Sequence, residues 1–240
     1  MYDRKELKAK AKAAFTANYW KSVGVAFIMM LITGTTFGVS SRTTTDSATE
    51  AANAQSADEL VKIFQERPEI LALVAGAIFT IILATILIST LIDTFLTNPL
   101  EKGCKTFFLR NSDDSTAGFE EVKKGFGPDY MRTVKTLFLK DLYIFLWSLL
   151  LIIPGMIKTY EYSQVHYILA EDPDISPKDA LLKSKEMMNG HKKEAFVFDL
   201  SFILWDLLAV ITFGLAYVFY VGPYEKAADA EYYKYVKNAQ

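Results

Sequence analysis

Leu137–Ala170 reads LFLKDLYIFLWSLLLIIPGMIKTYEYSQVHYILA, an apolar run with Pro154-Gly155 at its middle. Leu142 to Ile153 is uncharged and aromatic-rich, whereas Met156 to Ala170 carries Lys158, Glu161 and His166. Proline removes a backbone donor and collides with the preceding turn, so one straight helix over the whole run is disfavoured. The chain either crosses an apolar layer once here and leaves, or turns and comes back. That choice fixes the topology.

Working outward, 51% of the 240 residues are hydrophobic, and they gather into long blocks separated by charged stretches. This is the layout of an all-α, polytopic membrane protein. Ser22 to Ser41 is uncharged over twenty residues and Ile70 to Ile92 over twenty-three, each enough to span. The basic stretch before the first is too long for a secretory leader, so that block is expected to be an uncleaved span anchored by Tyr19-Trp20-Lys21. Gly24, Gly34 and Gly38 suit close helix packing there. Ala195 to Tyr224 is interrupted by Asp199, Asp206, Gly214 and Gly222-Pro223. Its thirty residues would make a helix of about 45 Å, longer than the roughly 30 Å hydrocarbon core, so it too is expected to fold back.

The polar stretches carry helix signatures. Asp3 with Glu6 opens a basic helix that places Leu7, Ala11, Ala14 and Phe15 on one face, to lie on an anionic membrane surface or simply in solvent. Ser176-Pro177-Lys178-Asp179 opens a second, with Ala180, Leu181, Ser184, Met187 and Met188 on its apolar face. It ends at Asn189-Gly190 and is expected to lie on the membrane surface, its methionines facing bilayer, bundle or a partner. Ser56 with Glu59 suggests a short helix ending before Pro68, and Phe119, Val122 and Phe126 share a helical face.

Basic residues favour return over exit. Four single spans would place Lys178, Lys183, Lys185, Lys192 and Lys193 outside, against the positive-inside tendency. Three hairpins put twenty-one of the twenty-six Lys and Arg on the cytoplasmic side together with both termini. The expected organisation is one membrane domain over 1–240. It comprises a basic arm (1–21), a first hairpin (22–97), a cytoplasmic loop (98–136), the Pro/Gly-broken hairpin (137–170), an amphipathic loop helix (171–195), and a last hairpin with tail (196–240). Four spans remain the alternative. Pro154, Gly155, Gly214 and Pro223 are the expected breaks. Pro99-x-Glu101-Lys102 followed by Phe107-Phe108, and Pro223-x-Glu225-Lys226 followed by Tyr232-Tyr233, suggest a repeated unit. Asn18-Tyr19-Trp20-Lys21 and Asn189-Gly190-His191-Lys192 extend it.

Ionisable groups within apolar segments are the candidate site. Asp199 and Asp206, two helical turns apart, suit proton or cation handling, or alternatively an interfacial or capping role. Lys158 with Glu161, and Tyr162 with His166, have pairing spacings, which serve a self-neutralised cluster at the outer end of a hairpin or a substrate site. The only histidines are His166 and His191, and no nucleophile elbow, P-loop, dinucleotide fingerprint or zinc motif occurs. No catalytic residue, metal or cofactor is therefore implied, and a lipid-acting enzyme is the least favoured class. Cys104, the one cysteine, reads as a passive small residue. A net charge of -2, with lysines scattered over several loops, gives no nucleic-acid footprint.

Ile152-Ile153-Pro154-Gly155-Met156-Ile157-Lys158, then Ser184-x-x-Met187-Met188-x-Gly190-His191-Lys192, Leu200-Ser201-Phe202-Ile203, Trp205, Pro223-Tyr224 and Tyr232-Tyr233 together resemble the bacterial integral membrane family called domain of unknown function 975. Leu204 stands where that pattern has glycine before the tryptophan. The resemblance implies a multi-span plasma-membrane protein of Gram-positive bacteria and brings no established activity. A transporter or permease-like component is the leading functional expectation. A scaffold or assembly factor holding anionic lipid or protein partners is the alternative.

Overall fold

The computed structural model describes residues 3–33 and 68–239. Among them every regular element is helical. They are α1 (Arg4–Ala17), α2 (Tyr19–Thr33), α3 (Pro68–Ile92), α4 (Asn98–Asp114), α5 (Glu120–Lys123), α6 (Tyr130–Leu150), α7 (Ile152–Glu161), α8 (Val165–Glu171), α9 (Pro177–Met187), α10 (Lys192–Leu200), α11 (Ile203–Ile211) and α12 (Gly222–Asn238), with π-helical turns at Asp93–Thr97 and Tyr217–Val221. The Ser56 element, Gly34 and Gly38 lie outside the described residues. The chain forms two compact units, Gly38–Asp93 holding α3, and the remainder holding all other helices.

Helix α3 has 25 residues, about 37 Å of rise, and its described side chains are mostly exposed, including Leu73, Phe79 and Ile81. Among the described residues, one continuous helix, Ala72–Asp114, is long and apolar enough to cross a membrane.

In the other unit, α1, α4, α8, α9, α12 and the first half of α6 enclose a core that includes Phe15, Phe107, Leu137, Ile168, Met187 and Tyr233. The two amphipathic faces are those expected: Leu7, Ala11, Ala14 and Phe15 on α1, and Ala180, Leu181, Ser184 and Met187 on α9. Their caps are also in place, Asp3 accepting from the Lys5 and Glu6 amides and Ser176 from the Asp179 amide. What covers them differs from expectation. Helix α1 packs on α12 and α9 packs on α6 and α8, so both faces are buried in protein. The Phe119–Phe126 face is likewise divided, with Val122 buried and both phenylalanines partly exposed.

The chain does turn back within the opening stretch, but three residues earlier than proline suggests. Leu151 is extended (φ −161°, ψ 149°) and separates α6 from α7. Pro154 sits in the first turn of α7, where a missing amide costs little. Gly155 is needed for contact: a Cβ there would lie 2.9 Å from Ser148 Cα on the facing helix. Helix α7 is about 15 Å long, half a hydrocarbon core, against about 31 Å for α6. The tip, Leu149 to Ile153, is 65–78% exposed.

The last apolar block turns at Phe213 (φ 52°) and Gly214 (φ 85°), with Phe213 97% exposed. Gly214 is thus a true break. Pro223 is not, because α12 follows directly on the Tyr217–Val221 turn. Across this hairpin Trp205 meets Tyr220, ring centroids 5.3 Å apart.

The repeated Pro-x-Glu-Lys is repeated in structure. Pro99 and Pro223 each follow a five-residue π turn and open a 17-residue helix. A proline leaves the carbonyl four residues back without its amide. Tyr130 Oη donates to the Phe95 carbonyl (2.7 Å), and Tyr19 Oη to the Phe219 carbonyl (3.0 Å). Lys192 reaches Glu161 at 2.9 Å. Tyr19 is thus tied to the end of the last apolar block, Tyr130 to the π turn before α4, and Lys192 to the end of α7.

Candidate functional site

A polar cavity of about 610 Å³ opens beneath the two short hairpins, between α7, α8, α10, α11 and α12. Asp199 from α10 and Asp206 from α11 both line it, although a turn at Ser201-Phe202 interrupts the helix on which their spacing was reckoned. Two carboxyls not singled out from the sequence join them, Glu225 and Asp229, one turn apart on α12. Lys226 and Lys105 complete the charged lining.

These groups have specific partners. Tyr160 Oη donates to Asp199 Oδ2 at 2.9 Å, so Asp199 faces the cavity and not the lysines at the start of α10. Lys226 Nζ lies 3.4 Å from Asp229 Oδ2. Asp206 is close enough to Glu225 to raise it. Burial, outweighing the pull of Lys226, and then the Asp206 and Asp229 carboxylates push Glu225 up to about 8. The Asp229 carboxylate beside the half-buried Lys226 raises the lysine.

Lys158, Glu161 and His166 do not converge on this cavity. Glu161 is buried beneath α9 and α10, where it accepts from Lys158 (2.8 Å) and Lys192 (2.9 Å), while its carbonyl accepts from Ser184 Oγ (2.8 Å). The expected Lys158–Glu161 pair forms, but as an internal clamp at the base of the hairpin instead of a cluster at its outer end. His166 does not turn to Tyr162. It lies 3.7 Å from Glu101 and 3.5 Å from Lys105. Burial and the two lysines, Lys105 and Lys140, drive its pKa well down, so it is neutral. Buried Cys104 has its thiol pushed up to about 12, chiefly by burial. It is inert, consistent with its reading as a passive residue.

Glu225 and Asp229 carried a legible signal, since residues four apart share a helix face and Glu225 belongs to the repeated motif. Nothing in the local sequence says that α12 faces α11. Residues 148–240 match the family model described as Protein of unknown function (DUF975), the family that the sequence resembles. No curated protein and no solved structure matches the chain.

Proposed function

We propose that this is a multi-pass bacterial plasma-membrane protein of transporter or permease-like type, acting without catalysis and handling protons and small cations in the cavity beneath its short hairpins. The observation that carries this reading is the set of carboxyls Asp199, Asp206, Glu225 and Asp229 lining one cavity built from hairpins whose apolar residues are exposed. Extended apolar surface of this kind calls for lipid or a partner. The membrane segments are α2 and α3, the hairpin Leu142–Ile157, and the hairpin Phe196–Tyr220. Helices α1, α4, α8, α9 and α12 form a cytoplasmic body with both termini. The two later hairpins enter without crossing fully, their backbones satisfied by helical bonding and by packing on one another.

Reconstitution tests it. Liposomes holding the full chain and a pH-sensitive dye should dissipate an imposed proton gradient, and Asp206→Asn should abolish the excess over empty vesicles. No flux above empty vesicles, or flux unchanged in Asp206→Asn, would overturn it. Topology is tested in Cys104→Ser, Lys185→Cys cells: an impermeant thiol reagent should fail to label them until they are lysed. The scaffold reading draws on the exposed Arg4, Lys5 and Lys12, left outward when α1 buries its apolar face. If it holds, neutralising those three should impair function more than Asp206→Asn, through lost attraction to anionic headgroups.

A further inference from the structure

Charge matching around the cavity is incomplete. Asp229 has Lys226 within ion-pair distance, and Lys105 Nζ is held by Glu101 at 2.9 Å. Glu225 and Asp206 both line the cavity. Asp199 has the Tyr160 hydroxyl, and among the described residues neither Asp199 nor Asp206 has an ammonium within 4 Å. Two carboxylates therefore face the cavity without a cation.

A second, independent feature points to a ligand. Gln164 and Tyr167 line the cavity at 5% and 2% exposure, yet Gln164 Oε1 and Tyr167 Oη are buried with no hydrogen-bond partner. The amide orientation of Gln164 is fixed by its surroundings. Ser163 Oγ donates to the Tyr160 carbonyl and so must accept from Gln164 Nε2, leaving Oε1 as a bare acceptor. Buried acceptors are rarely left unpaired, so a donor belongs there. The walls include the rings of Tyr160, Tyr167, Phe198 and Phe202. The chain already seats an ammonium on one of them, Lys8 Nζ lying 3.6 Å from the Phe202 centroid. Among the described residues no three His, Cys, Asp or Glu converge closely enough to hold a metal ion. Spread carboxylates, aromatic walls and a volume within the usual small-molecule range suit an organic cation.

We propose that the cavity binds a small organic cation bearing N–H donors, a primary ammonium or guanidinium, its charge between Asp199 and Asp206 and an N–H on Gln164 Oε1. The assignment rests on the cation-handling reading above and specifies its substrate. Titration calorimetry on the full chain in nanodiscs, with butylamine, tetramethylammonium and butyrate as probes, tests it. Butylamine should bind more tightly than tetramethylammonium, which has the charge without N–H, and butyrate should not bind. Asp199→Asn and Asp206→Asn should each weaken butylamine about tenfold or more, the scale of a lost charge-assisted hydrogen bond. Gln164→Ala should erase the preference over tetramethylammonium. Thermal melting of each variant separates lost binding from lost fold. No butylamine binding by the wild-type protein, equal binding of butyrate, or affinity unchanged in well-folded Asp199→Asn would overturn the assignment. Amine binding failing while Asp206-dependent proton flux persists rejects the ligand and leaves the transport reading standing. Amine binding without proton flux does the reverse.

Discussion

Helices α4 and α12 are two versions of one device with opposite electrostatic outcomes. Each has 17 residues, a π turn upstream, a proline at its second position, and a carbonyl rescued by a tyrosine hydroxyl from another helix. Aligned on the prolines, Glu101 matches Glu225, and the residue one turn further on is Lys105 in α4 but Asp229 in α12. Burial alone would raise both glutamates. Around Glu101, Lys105 and Lys140 overcome it and hold the carboxyl well below the ordinary range. Around Glu225, Asp206 and Asp229 reinforce it. The charge at the i+4 position is one of the differences that separate a lowered glutamate from a raised one.

The largest effect is expected from packing. Gly103 aligns with Ala227, and a Cβ on Gly103 would lie 2.0 Å from the Val122 carbonyl oxygen. Gly103→Ala should cost about 3 kcal/mol or prevent folding, whereas Ala227→Gly should cost only about 1 kcal/mol from helix propensity. Denaturant unfolding in detergent checks this, and a wild-type midpoint for Gly103→Ala would show that α5 can move aside.

The next prediction separates the two glutamates by pH. Glu225, raised in the folded state, contributes stability that is full below its unfolded pKa of about 4.5 and is lost as pH rises through about 8. Glu101, lowered, contributes stability present above about 4.5 and lost as pH falls through its folded pKa. Glu225→Gln should therefore flatten the alkaline limb of melting temperature against pH, and Glu101→Gln the acid limb. If the two variants exchange limbs or change neither, the assignment of opposite shifts fails.

Reversing the i+4 charge sharpens the same comparison without removing either glutamate. In Asp229→Lys the infrared carbonyl band of a protonated carboxyl should disappear at pH 7, because Glu225 then resembles Glu101. Persistence of the band would mean that burial and Asp206 raise it without Asp229. The smallest effects belong to the tyrosines, where Tyr19→Phe and Tyr130→Phe should each cost about 1 kcal/mol, one neutral hydrogen bond. A markedly unequal pair would argue against the equivalence of the two π turns.

The sequence disclosed more of these elements than of their surroundings. Asp3 and Ser176 announced their helices, and the faces of α1 and α9 were readable because caps and periodicity are local. The same faces misled about their partners. Apolar residues on a basic helix suit a membrane surface and the side of another helix equally, since burial of apolar area is non-directional. Pro154 likewise announced a break but not its place, because proline is tolerated in a first helical turn and the chain bends where two helices can touch, at Leu151 above Gly155 and Ser148.

Taken by itself, the sequence determined an all-helical chain, its apolar blocks, most helix starts, and Asp199 and Asp206 as costly groups within apolar segments. All of these follow from the chemistry of residues close together along the chain. Tertiary structure alone decided that Glu225 shares a cavity with Asp206 nineteen positions away, that Glu161 is clamped by Lys192, and that His166 faces Glu101. A buried group's ionisation depends on charges within a few ångströms of it, and which charges those are is set by packing between helices that no local pattern encodes.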